Sequence, residues 1–333
     1  MKIAVVGAGS WGTTMASLMA EADETVLWSR RVDVAEAINT TDRNPDYLGD
    51  TPLHPALTAT TDLEFALAGA EIIVMAVPSH GTRSVLEAGV DYISNDALVV
   101  SLSKGFEQST RLRMTEVALE VLDHDSNRLG VLTGPNLAKE VLGGQPTASV
   151  AAFPSIESAE ILQAHIPTPT LRIYTSTDVI GCEAAGALKN VMAIGTGMAQ
   201  GLGFGDNTRA ALITRSLNEL SRIGRAMGGD VATFAGLAGM GDLIATCSSP
   251  LSRNRMVGVA LGEGRTLKEI TRDMNMVAEG VKTTESVLAI AAGHGLDVPI
   301  VEQVGNVLYE GLAPIEAMRA LLSRPTGREF DPI

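Results

Sequence analysis

One lysine stands in an otherwise apolar stretch near the middle of the 333-residue chain. Between Val179 and Gly205 only Glu183 and Lys189 carry charge, and Ala, Gly, Val, Met, Ile and Leu supply nearly all the other positions. Burial among such residues disfavours the ammonium form and so prepares a lysine for proton transfer. The alternative is a lysine whose stem packs on the apolar face while its head reaches a carboxylate at the surface. The Gly and Ala residues let a backbone or a ligand come close to this stretch.

The glycine-rich turn near the N-terminus is a second candidate site. The β-branched run Lys2–Val6 is followed by Gly7, Gly9 and Gly12 and then by a helical pattern. Strand, G-x-G-x-x-G turn and helix in this order form the dinucleotide-binding fingerprint, in which the glycines permit a tight turn, the approach of the pyrophosphate and close helix packing. Phosphate oxygens would then lie at the positive end of the helix. The order therefore predicts a nicotinamide-dinucleotide site.

The second predicted strand, Glu24–Ser29, bears on which nicotinamide cofactor binds. NAD-specific folds carry Asp or Glu about 20 residues after the glycines, whereas this chain has Ser29 followed by Arg30 and Arg31. An arginine pairs with the additional 2′-phosphate of NADP(H), which a carboxylate would repel. NADPH is therefore favoured over NADH. The alternative is that both arginines are solvated charges after a strand.

Apolar strand patterns alternate with helical patterns up to about residue 178. Further strands are predicted over Glu71–Val77, Ala97–Leu102, Leu129–Thr133, Thr147–Ala152 and Thr170–Tyr174. The alternation predicts an α/β fold with a Rossmann-like doubly wound sheet, in which ligands bind outside the carboxyl ends of the strands. Polar or proline-containing sets follow three of these strands, with Pro78, Lys104 and Gly134–Glu140. Lys104 either fixes an anionic substrate or a carbonyl oxygen, or it is an ordinary loop lysine.

After residue 175 the strand patterns stop and amphipathic helices take over. They are predicted over Gly181–Gly201, Asn207–Met227, Arg253–Gly262, Leu267–Met274, Gly280–Ala292 and Pro299–Gly311. The chain is also long enough for roughly two domains with separate cores. We therefore expect an NAD(P)-binding domain over residues 1–178 and an all-helical substrate-binding and catalytic domain over residues 179–333.

Two loops in the second half deliver polar side chains to predicted helix starts. The glycine-spaced loop Thr233–Cys247 carries Asp242, which is either a helix N-cap or a carboxylate that binds substrate and orients Lys189. Ser252 is expected to cap the next helix, so that Arg253 and Asn254 in the first turn would complete an anion pocket. The alternative there is a capped surface helix with solvated arginines.

Composition excludes several classes of function. A net charge of −14 argues against general nucleic-acid binding, because phosphate contacts draw on Lys and Arg. Cys182 and Cys247 are the only cysteines, and no nearby His pair completes a zinc set. No apolar run reaches the roughly 20 residues that a membrane span requires, and strand pattern starts at Lys2. We therefore expect a cytoplasmic protein without a bound metal, a nucleic-acid partner or an integral membrane segment.

A series of motifs runs along the whole chain: GAGSWGT, LWSR, AVPS, SLSKGFE, GPNLAKE, KNVMAIGTGMAQGLGFGDNTRAALITR, GLAGMGDLIATC, SRNR and VAEGVKTT. In this order they resemble the NAD(P)-dependent glycerol-3-phosphate dehydrogenases of the bacterial biosynthetic type. The resemblance implies a Rossmann-like domain followed by a helical domain, and a homodimer. It also implies reversible reduction of dihydroxyacetone phosphate to sn-glycerol 3-phosphate with NADPH or NADH, for glycerophospholipid biosynthesis.

The resemblance also implies roles for individual residues. Lys189 matches the general acid/base, and small residues of its helix would let the nicotinamide and a three-carbon substrate approach. Substrate contacts are implied for Lys104, Gly134, Asn136, Lys189, Asn190, Asp242, Thr246, Ser252, Arg253 and Asn254. Cofactor contacts are implied for Ser10, Trp11, Arg30, Arg31, Lys104, Ala138, Arg253, Val277 and Glu279. Many relatives carry Ser or Thr in place of Asn136, which departs from that pattern.

Two other functions fit parts of the same pattern. One is a related two-domain reductase of a carboxylate substrate, such as a 3-hydroxyacid or ketopantoate. The other is a non-catalytic NADPH-sensing protein that keeps the dinucleotide fold. The phosphate pocket expected at Ser252–Asn254 speaks against the first, and the second gives no reason for a lysine in an apolar helix.

Overall fold

A computed structural model describes residues 1–274 and 278–329. The chain divides into two compact units: the first comprises residues 1–107 and 112–183, and the second comprises residues 108–111 and 184–333. The first unit contains the sheet, and the second is built from helices. The α/β fold class with a helical C-terminal half is therefore confirmed.

The strands of the first unit are β1 (Lys2–Val6), β2 (Glu24–Trp28), β3 (Thr58–Thr60), β4 (Ile72–Met75), β5 (Leu98–Ser101), β6 (Leu129–Thr133), β7 (Thr147–Ala152) and β8 (Leu171–Ser176). Within the described residues they form one eight-stranded sheet in the order β3-β2-β1-β4-β5-β6-β7-β8. Neighbouring strands are parallel except β6 and β7, which are antiparallel. The order reverses between β1 and β4. This reversal is the switch point at which doubly wound sheets bind ligands.

The helices of the first unit are α1 (Ser10–Met19), α2 (Val32–Thr41), α3 (Pro45–Leu48), α4 (Leu63–Leu67), α5 (Thr82–Gly89), α6 (Met114–Leu122), α7 (Ala138–Leu142) and α8 (Ile156–Ala164). Short 3₁₀ turns cover Ser79–Gly81, Val90–Tyr92 and Ser126–Arg128. The sheet is covered on both faces, because Ile3 and Val5 of β1 belong to one core cluster while Ala4 and Val6 belong to the other. Burial on both faces explains why β1 is apolar at successive positions.

The remaining helices are α9 (Val179–Gly201), α10 (Asp206–Ala226), α11 (Val231–Ala235), α12 (Asp242–Ser248), α13 (Arg253–Gly262), α14 (Leu267–Asp273), α15 (Glu279–Gly293), α16 (Pro299–Tyr309) and α17 (Pro314–Leu322). A π-helical turn, Leu237–Gly241, precedes α12. The sequence patterns did not predict α2, α3, α5, α7, α11, α17 or β3. The last is an edge strand of three residues, of which only Ala59 is buried, and it is therefore too short to produce a periodic signal.

Glycines bring α9 and α13 into backbone contact along a seam formed by Gly197 and Gly201 on α9 and Gly258 and Gly262 on α13. A Cβ at Gly197 would lie 2.3 Å from a carbonyl oxygen of α13, and a Cβ at Gly258 would lie 2.1 Å from a carbonyl oxygen of α9. Only glycine fits at such distances. The expectation that small residues of this helix admit the nicotinamide and the substrate is therefore wrong for Gly197 and Gly201, because a neighbouring helix fills that space.

Candidate active site

Lys189 lies in a buried polar cluster of the second unit. Its side chain comes from the middle of α9, and the residue is only 5% exposed. Nζ donates to Thr246 Oγ1 at 2.5 Å and forms an ion pair with Asp242 Oδ1 at 2.8 Å. Thr246 Oγ1 in turn donates to Asp242 Oδ1 at 3.2 Å. We call these three side chains the Lys189 triangle.

The burial of the Lys189 triangle decides between the two interpretations of the lysine. Asp242 is 2% exposed and Thr246 is 6% exposed, so the head of Lys189 does not reach the surface. The alternative of a lysine that extends to a surface carboxylate is therefore wrong. An ammonium has three N–H bonds, and the described part of the chain supplies two acceptors for Nζ. One N–H bond is thus left to donate to a ligand oxygen.

A π-helical turn delivers Asp242 to the triangle. The turn, Leu237–Gly241, packs tightly because a Cβ at Gly239 would lie 2.2 Å from Phe234 O. Asp242 is already the first residue of α12 and has helical backbone angles, while the residue in the cap position is a glycine. The N-cap role considered for Asp242 is therefore wrong. Its carboxylate contacts a lysine and a threonine instead of the helix end, and π-turns of this kind are frequent at functional sites.

Asn190 follows Lys189 in the chain and belongs to a second buried hydrogen-bond chain. Asn254 Nδ2 donates to Asn190 Oδ1 at 2.9 Å, and Asn254 Oδ1 accepts from Gly280 N at 2.9 Å. The sequence did not predict a role for Gly280. The position requires glycine, because a Cβ there would lie 2.6 Å from Asn190 O. These bonds join α9, α13 and the first turn of α15. The two asparagines predicted to contact substrate are thus brought together, and their amides also hold three helices in register.

The start of α13 has the expected cap. Ser252 Oγ accepts from Arg255 N at 3.3 Å, which confirms the predicted N-cap. Arg253 is the first residue of this ten-residue helix and is exposed, whereas Ser252 is 5% exposed. Arg255 was not predicted, and its Nη2 donates to Gln200 Oε1 at 2.6 Å. Backbone N–H groups beside a guanidinium suit an oxyanion such as a phosphate.

In the first unit, a second lysine is fixed at the carboxyl ends of two neighbouring strands. Lys104 follows β5, and its Nζ donates to Gly134 O at 3.0 Å and to Asn136 Oδ1 at 2.8 Å. Asn136 Nδ2 also donates to Ser149 Oγ at 3.5 Å. The structure therefore brings together three residues that the sequence assigned to substrate binding. Ser149 was not predicted, because it lies inside strand β7.

The glycine-rich turn after β1 has room for a dinucleotide. Gly7 has a φ of +123°, and a Cβ at Gly12 would lie 2.0 Å from Gly7 O, so both positions require glycine. A Cβ at Gly9 would meet nothing within 4 Å, so the space beside this turn is open. Helix α1 begins at Ser10 with no acidic residue in its first turn. The turn therefore fits the pyrophosphate of NAD(P), which needs close backbone approach and a positive helix end.

Two side chains next to this turn bear on the same site. Trp11 packs against the core, and its Nε1 is buried with no hydrogen-bond partner in the described part of the chain. Such an atom gains a bond when a ligand acceptor reaches it. Asn44 was not predicted; its Nδ2 donates to Ala8 O at 3.0 Å and to Thr13 Oγ1 at 2.8 Å, which fixes the turn. Its only local signal was an Asn-Pro pair before a short helix.

The two arginines after β2, both predicted to bind the cofactor, differ in their contacts. Ser29 Oγ accepts from Arg31 N at 3.1 Å and donates to Arg31 O at 3.0 Å, which shapes a tight turn. Arg31 forms ion pairs with Asp33 and Asp46. Arg30 is exposed, and its side chain has no ion pair within residues 1–274 and 278–329. The two arginines thus differ in their availability to a ligand.

The remaining predicted cofactor residues lie at the starts and ends of elements. Pro78 is exposed just after β4, the strand that pairs with β1. Ala138 begins α7, and its carbonyl oxygen accepts from Thr14 Oγ1 at 3.4 Å. Glu279 is the first residue of α15 and does not precede the helix as expected. Val277 lies outside the described residues.

Cys247 is a neighbour of the Lys189 triangle without being a nucleophile. Its Sγ accepts from Thr196 Oγ1 at 3.6 Å. Burial raises the pKa of Cys247 to about 11, and the charge of Lys189 only partly opposes this effect. Because the thiolate is the reactive form, this thiol is inert at neutral pH.

The other charge of the apolar stretch, Glu183, is held by several donors. It accepts from Arg113 Nη1 at 2.7 Å, from Thr115 Oγ1 at 2.6 Å and from Thr115 N at 2.9 Å. Burial nevertheless raises the pKa of Glu183 above its ordinary value. These contacts tie the start of α6 to the first turns of α9, which is a structural role.

Two negative findings apply to the part of the chain that the structure describes. It contains no cluster of three or more His, Cys, Asp or Glu side chains that could hold a metal ion. None of its helices combines the length and the apolar character needed to cross a bilayer.

Comparison with known proteins identifies the family. The model for the N-terminus of NAD-dependent glycerol-3-phosphate dehydrogenase matches residues 2–159, and the model for the C-terminus of the same family matches residues 178–319. Together the two matches cover most of the chain.

Individual relatives are similar over almost their whole length. Glycerol-3-phosphate dehydrogenase (NAD(P)+) of Thermobifida fusca is 51% identical over 325 residues, which are 97% of each chain. The protein of the same name from Corynebacterium jeikeium is 50% identical over 326 residues, covering 97% of this chain and 98% of that protein. The crystal structure of glycerol-3-phosphate dehydrogenase from Coxiella burnetii superposes with a TM-score of 0.92 at 37% identity, covering 97% of this chain and 99% of that one. The chain therefore belongs to the NAD-dependent glycerol-3-phosphate dehydrogenase family.

Proposed function

We propose that this protein reduces dihydroxyacetone phosphate to sn-glycerol 3-phosphate with NADPH or NADH, and that Lys189 is the general acid/base. The observation that carries the proposal is the Lys189 triangle, a buried ammonium held by Asp242 and Thr246 with one N–H bond left to donate. Relatives about 50% identical along the chain carry the same activity in their names.

The proton transfer follows from the hydrogen bonds of Lys189. In the direction of reduction, its remaining N–H bond donates to the carbonyl oxygen of the substrate, and the proton moves to that oxygen as negative charge develops there. In the reverse direction, neutral Lys189 accepts the proton of the hydroxyl group. Asp242 balances the charge of the ammonium. Thr246 orients the ammonium, because its Oγ1 accepts from Lys189 Nζ and donates to Asp242 Oδ1. Without this support a buried ammonium would be strongly disfavoured.

NADPH or NADH, when bound, supplies the hydride that the substrate carbon accepts. The residues that would hold the cofactor are Gly7, Gly9, Ser10, Trp11, Gly12, Arg30, Arg31, Pro78, Lys104, Ala138, Arg253, Val277 and Glu279. The open space beside Gly9 supports this assignment, as does Trp11 Nε1, for which the described residues supply no hydrogen-bond partner.

The phosphate of the substrate is assigned to the start of α13. Ser252, Arg253 and Asn254 would receive it, because first-turn N–H groups and a guanidinium are complementary to an oxyanion. Lys104, Gly134, Asn136 and Asn190 complete the substrate set. A phosphate pocket distinguishes this function from that of a reductase of 3-hydroxyacids or of ketopantoate, whose substrates carry a carboxylate.

Four further features belong to this proposal. Residues 1–178 act as the NAD(P)-binding domain and residues 179–333 as the helical substrate-binding and catalytic domain. The enzyme works in the cytoplasm as a homodimer. Its product serves glycerophospholipid biosynthesis. The net charge of −14 is consistent with a small-molecule substrate and with the absence of a nucleic-acid partner.

The proposed function is tested by following the loss of NADPH absorbance, and separately of NADH absorbance, with dihydroxyacetone phosphate as substrate. Ketopantoate and a 3-oxoacid serve as comparison substrates. We expect rapid oxidation of the cofactor with dihydroxyacetone phosphate and not with either comparison substrate. Rapid oxidation with a comparison substrate would favour the carboxylate reductase, and binding of NADPH without turnover of any substrate would favour the sensor protein.

A further inference from the structure

The guanidinium of Arg31 is already occupied by two carboxylates. Its Nε donates to Asp33 Oδ1 at 3.0 Å, its Nη2 contacts Asp33 Oδ2, and its Nη1 contacts Asp46 Oδ2 at 2.6 Å. All three side chains are partly exposed, with relative exposures of 45% for Arg31, 65% for Asp33 and 47% for Asp46. We call this arrangement the Arg31 clamp.

Both carboxylates of the clamp are held in place by the backbone around them. Asp33 lies in the first turn of α2, where the helix end favours a negative charge, and the hydrogen bonds of Arg31 hold the pKa of Asp33 below its usual range. Asp46 lies in the first turn of α3. That short helix is anchored to the glycine-rich turn, because Ser10 Oγ donates to Tyr47 O at 3.3 Å.

Arg30 has no such partners within residues 1–274 and 278–329, and its side chain is exposed at the end of β2. The local charges of Arg30, Arg31, Asp33 and Asp46 sum to zero. Of the two arginines that the sequence singled out, Arg31 keeps two N–H bonds but has its charge balanced by carboxylates, whereas Arg30 has no carboxylate partner among the described residues.

We infer that Asp33 and Asp46 are specificity-determining residues: by holding Arg31 they leave Arg30 as the cation that binds the 2′-phosphate of NADP(H), and they limit the preference for NADP(H) over NAD(H). The inference deepens the proposed function, because it concerns the cofactor of that reaction. The clamp weakens NADP(H) binding in two ways. It withholds one guanidinium from the 2′-phosphate, and it adds two negative charges that repel this group.

Substitutions of neighbouring residues in this cluster should therefore have opposite effects on the binding of a 2′-phosphate. Arg30→Ser removes the available cation and weakens binding of a 2′-phosphate. Asp33→Asn and Asp46→Asn together release Arg31 and remove the repulsion, so they strengthen binding of the same group. Because these charges are exposed and screened, we expect the double substitution to give a gain of about threefold to tenfold.

The experiment measures binding of two cofactor fragments by isothermal titration calorimetry, so it does not depend on turnover. The fragments are adenosine 2′,5′-bisphosphate, which carries the 2′-phosphate, and adenosine 5′-monophosphate, which lacks it. The measured quantity is the ratio of their dissociation constants. The variants are Arg30→Ser, Arg31→Ser, Asp33→Asn with Asp46→Asn, and this pair combined with Arg31→Ser. Glu36→Gln is the matched control, since it removes one exposed carboxylate from the same helix.

The inference predicts that Arg30→Ser lowers the preference for the bisphosphate more than Arg31→Ser does. The paired Asp substitutions raise it, part of that gain disappears when Arg31 is also replaced because only the loss of repulsion then remains, and Glu36→Gln leaves it near the parent value. A larger loss for Arg31→Ser than for Arg30→Ser would overturn the inference, as would paired Asp substitutions without a gain. Failure of the proposed function would appear separately, as fragment binding in the predicted order by a protein that does not turn over dihydroxyacetone phosphate.

Discussion

Lys189 and Asp242 form an ion pair of 2.8 Å in which the two side chains are 6% and 3% exposed. They are more than 50 positions apart in the sequence and come from two different helices. Each removes the main electrostatic cost of burying the other, so the pair is both a structural element of the second unit and the charged centre of the candidate site.

Replacement of Asp242 by Asn tests this coupling. The variant keeps the shape of the side chain but leaves the ammonium of Lys189 buried without a counter-charge, which typically costs about 3–5 kcal/mol of unfolding free energy. Urea denaturation measures the loss. The double variant Asp242→Asn with Lys189→Met should recover much of it, because no charge is then buried. Additive losses in the double variant would mean that the two residues act independently.

Replacement of Arg253 by Ala tests the phosphate pocket. A charge-assisted hydrogen bond is worth about 1.5–3 kcal/mol, so KM for dihydroxyacetone phosphate should rise by about tenfold to a hundredfold. Steady-state kinetics at saturating NADPH measure this change. Arg272→Ala is the control, because Arg272 is also an exposed arginine on a helix of the second unit. A KM as low as that of the control would remove Arg253 from the pocket.

Replacement of Gly258 by Ala tests the glycine seam. The added methyl group would lie 2.1 Å from Ile194 O, and a helix backbone cannot move away cheaply. We expect a loss of about 1–3 kcal/mol in unfolding free energy, together with a raised KM because α13 carries Arg253. Gly293→Ala is the control: its Cβ meets nothing within 4 Å, so it should be neutral or slightly stabilising. Equal stability of the two variants would show that the helices can separate.

Glu219 should make stability depend on pH. It is 2% exposed and accepts from Ile300 N at 2.8 Å and from Val301 N at 3.3 Å. Burial raises the pKa of Glu219 from 4.5 to about 7, with a smaller contribution from Asp297, while these two hydrogen bonds and Arg222 oppose the rise. The folded state therefore binds this proton more tightly than the unfolded state. The resulting stability is complete below pH 4.5 and is lost as the pH rises through about 7.

The variant Glu219→Gln removes this contribution but keeps an oxygen that accepts from the N-terminus of α16. When the pH rises from 4.5 to about 7, the unfolding free energy of the parent protein should fall further than that of Glu219→Gln. The expected difference between the two falls is about 3 kcal/mol. Denaturation in urea at both ends measures the difference. Glu302→Gln, which removes an exposed carboxylate from α16, should retain the slope of the parent. The same slope in Glu219→Gln and the parent would contradict this account.

Features defined by neighbouring residues were predictable from the sequence. The turn with Gly7, Gly9 and Gly12 and the cap at Ser252 each depend on a few consecutive positions, and the structure has both. The alternation of strand and helix patterns likewise identified the sheet. Periodicity missed β3, where one buried residue leaves no pattern, and it also missed the longer helices α2 and α17.

Contacts between distant positions were not predictable in the same way. The sequence offered Asp242 as a cap or as a partner of Lys189, and only packing of α12 against α9 decides between them. Gly197 and Gly201 could equally have faced a ligand, since a glycine does not reveal what approaches it. Gly280 must be glycine because the backbone of Asn190, 90 positions earlier in the sequence, packs against it. A single sequence contains no record of such pairs.

The most direct test of the central claim is the turnover of Lys189→Met, followed as loss of NADPH absorbance with saturating dihydroxyacetone phosphate. Methionine retains the apolar stem but cannot transfer a proton. We predict that kcat falls by about a hundredfold to ten-thousandfold, while the dissociation constant of NADPH measured by fluorescence stays within about twofold of the parent value. A kcat within a few-fold of the parent, in a folded variant that binds NADPH normally, would contradict the assignment of Lys189 as the general acid/base.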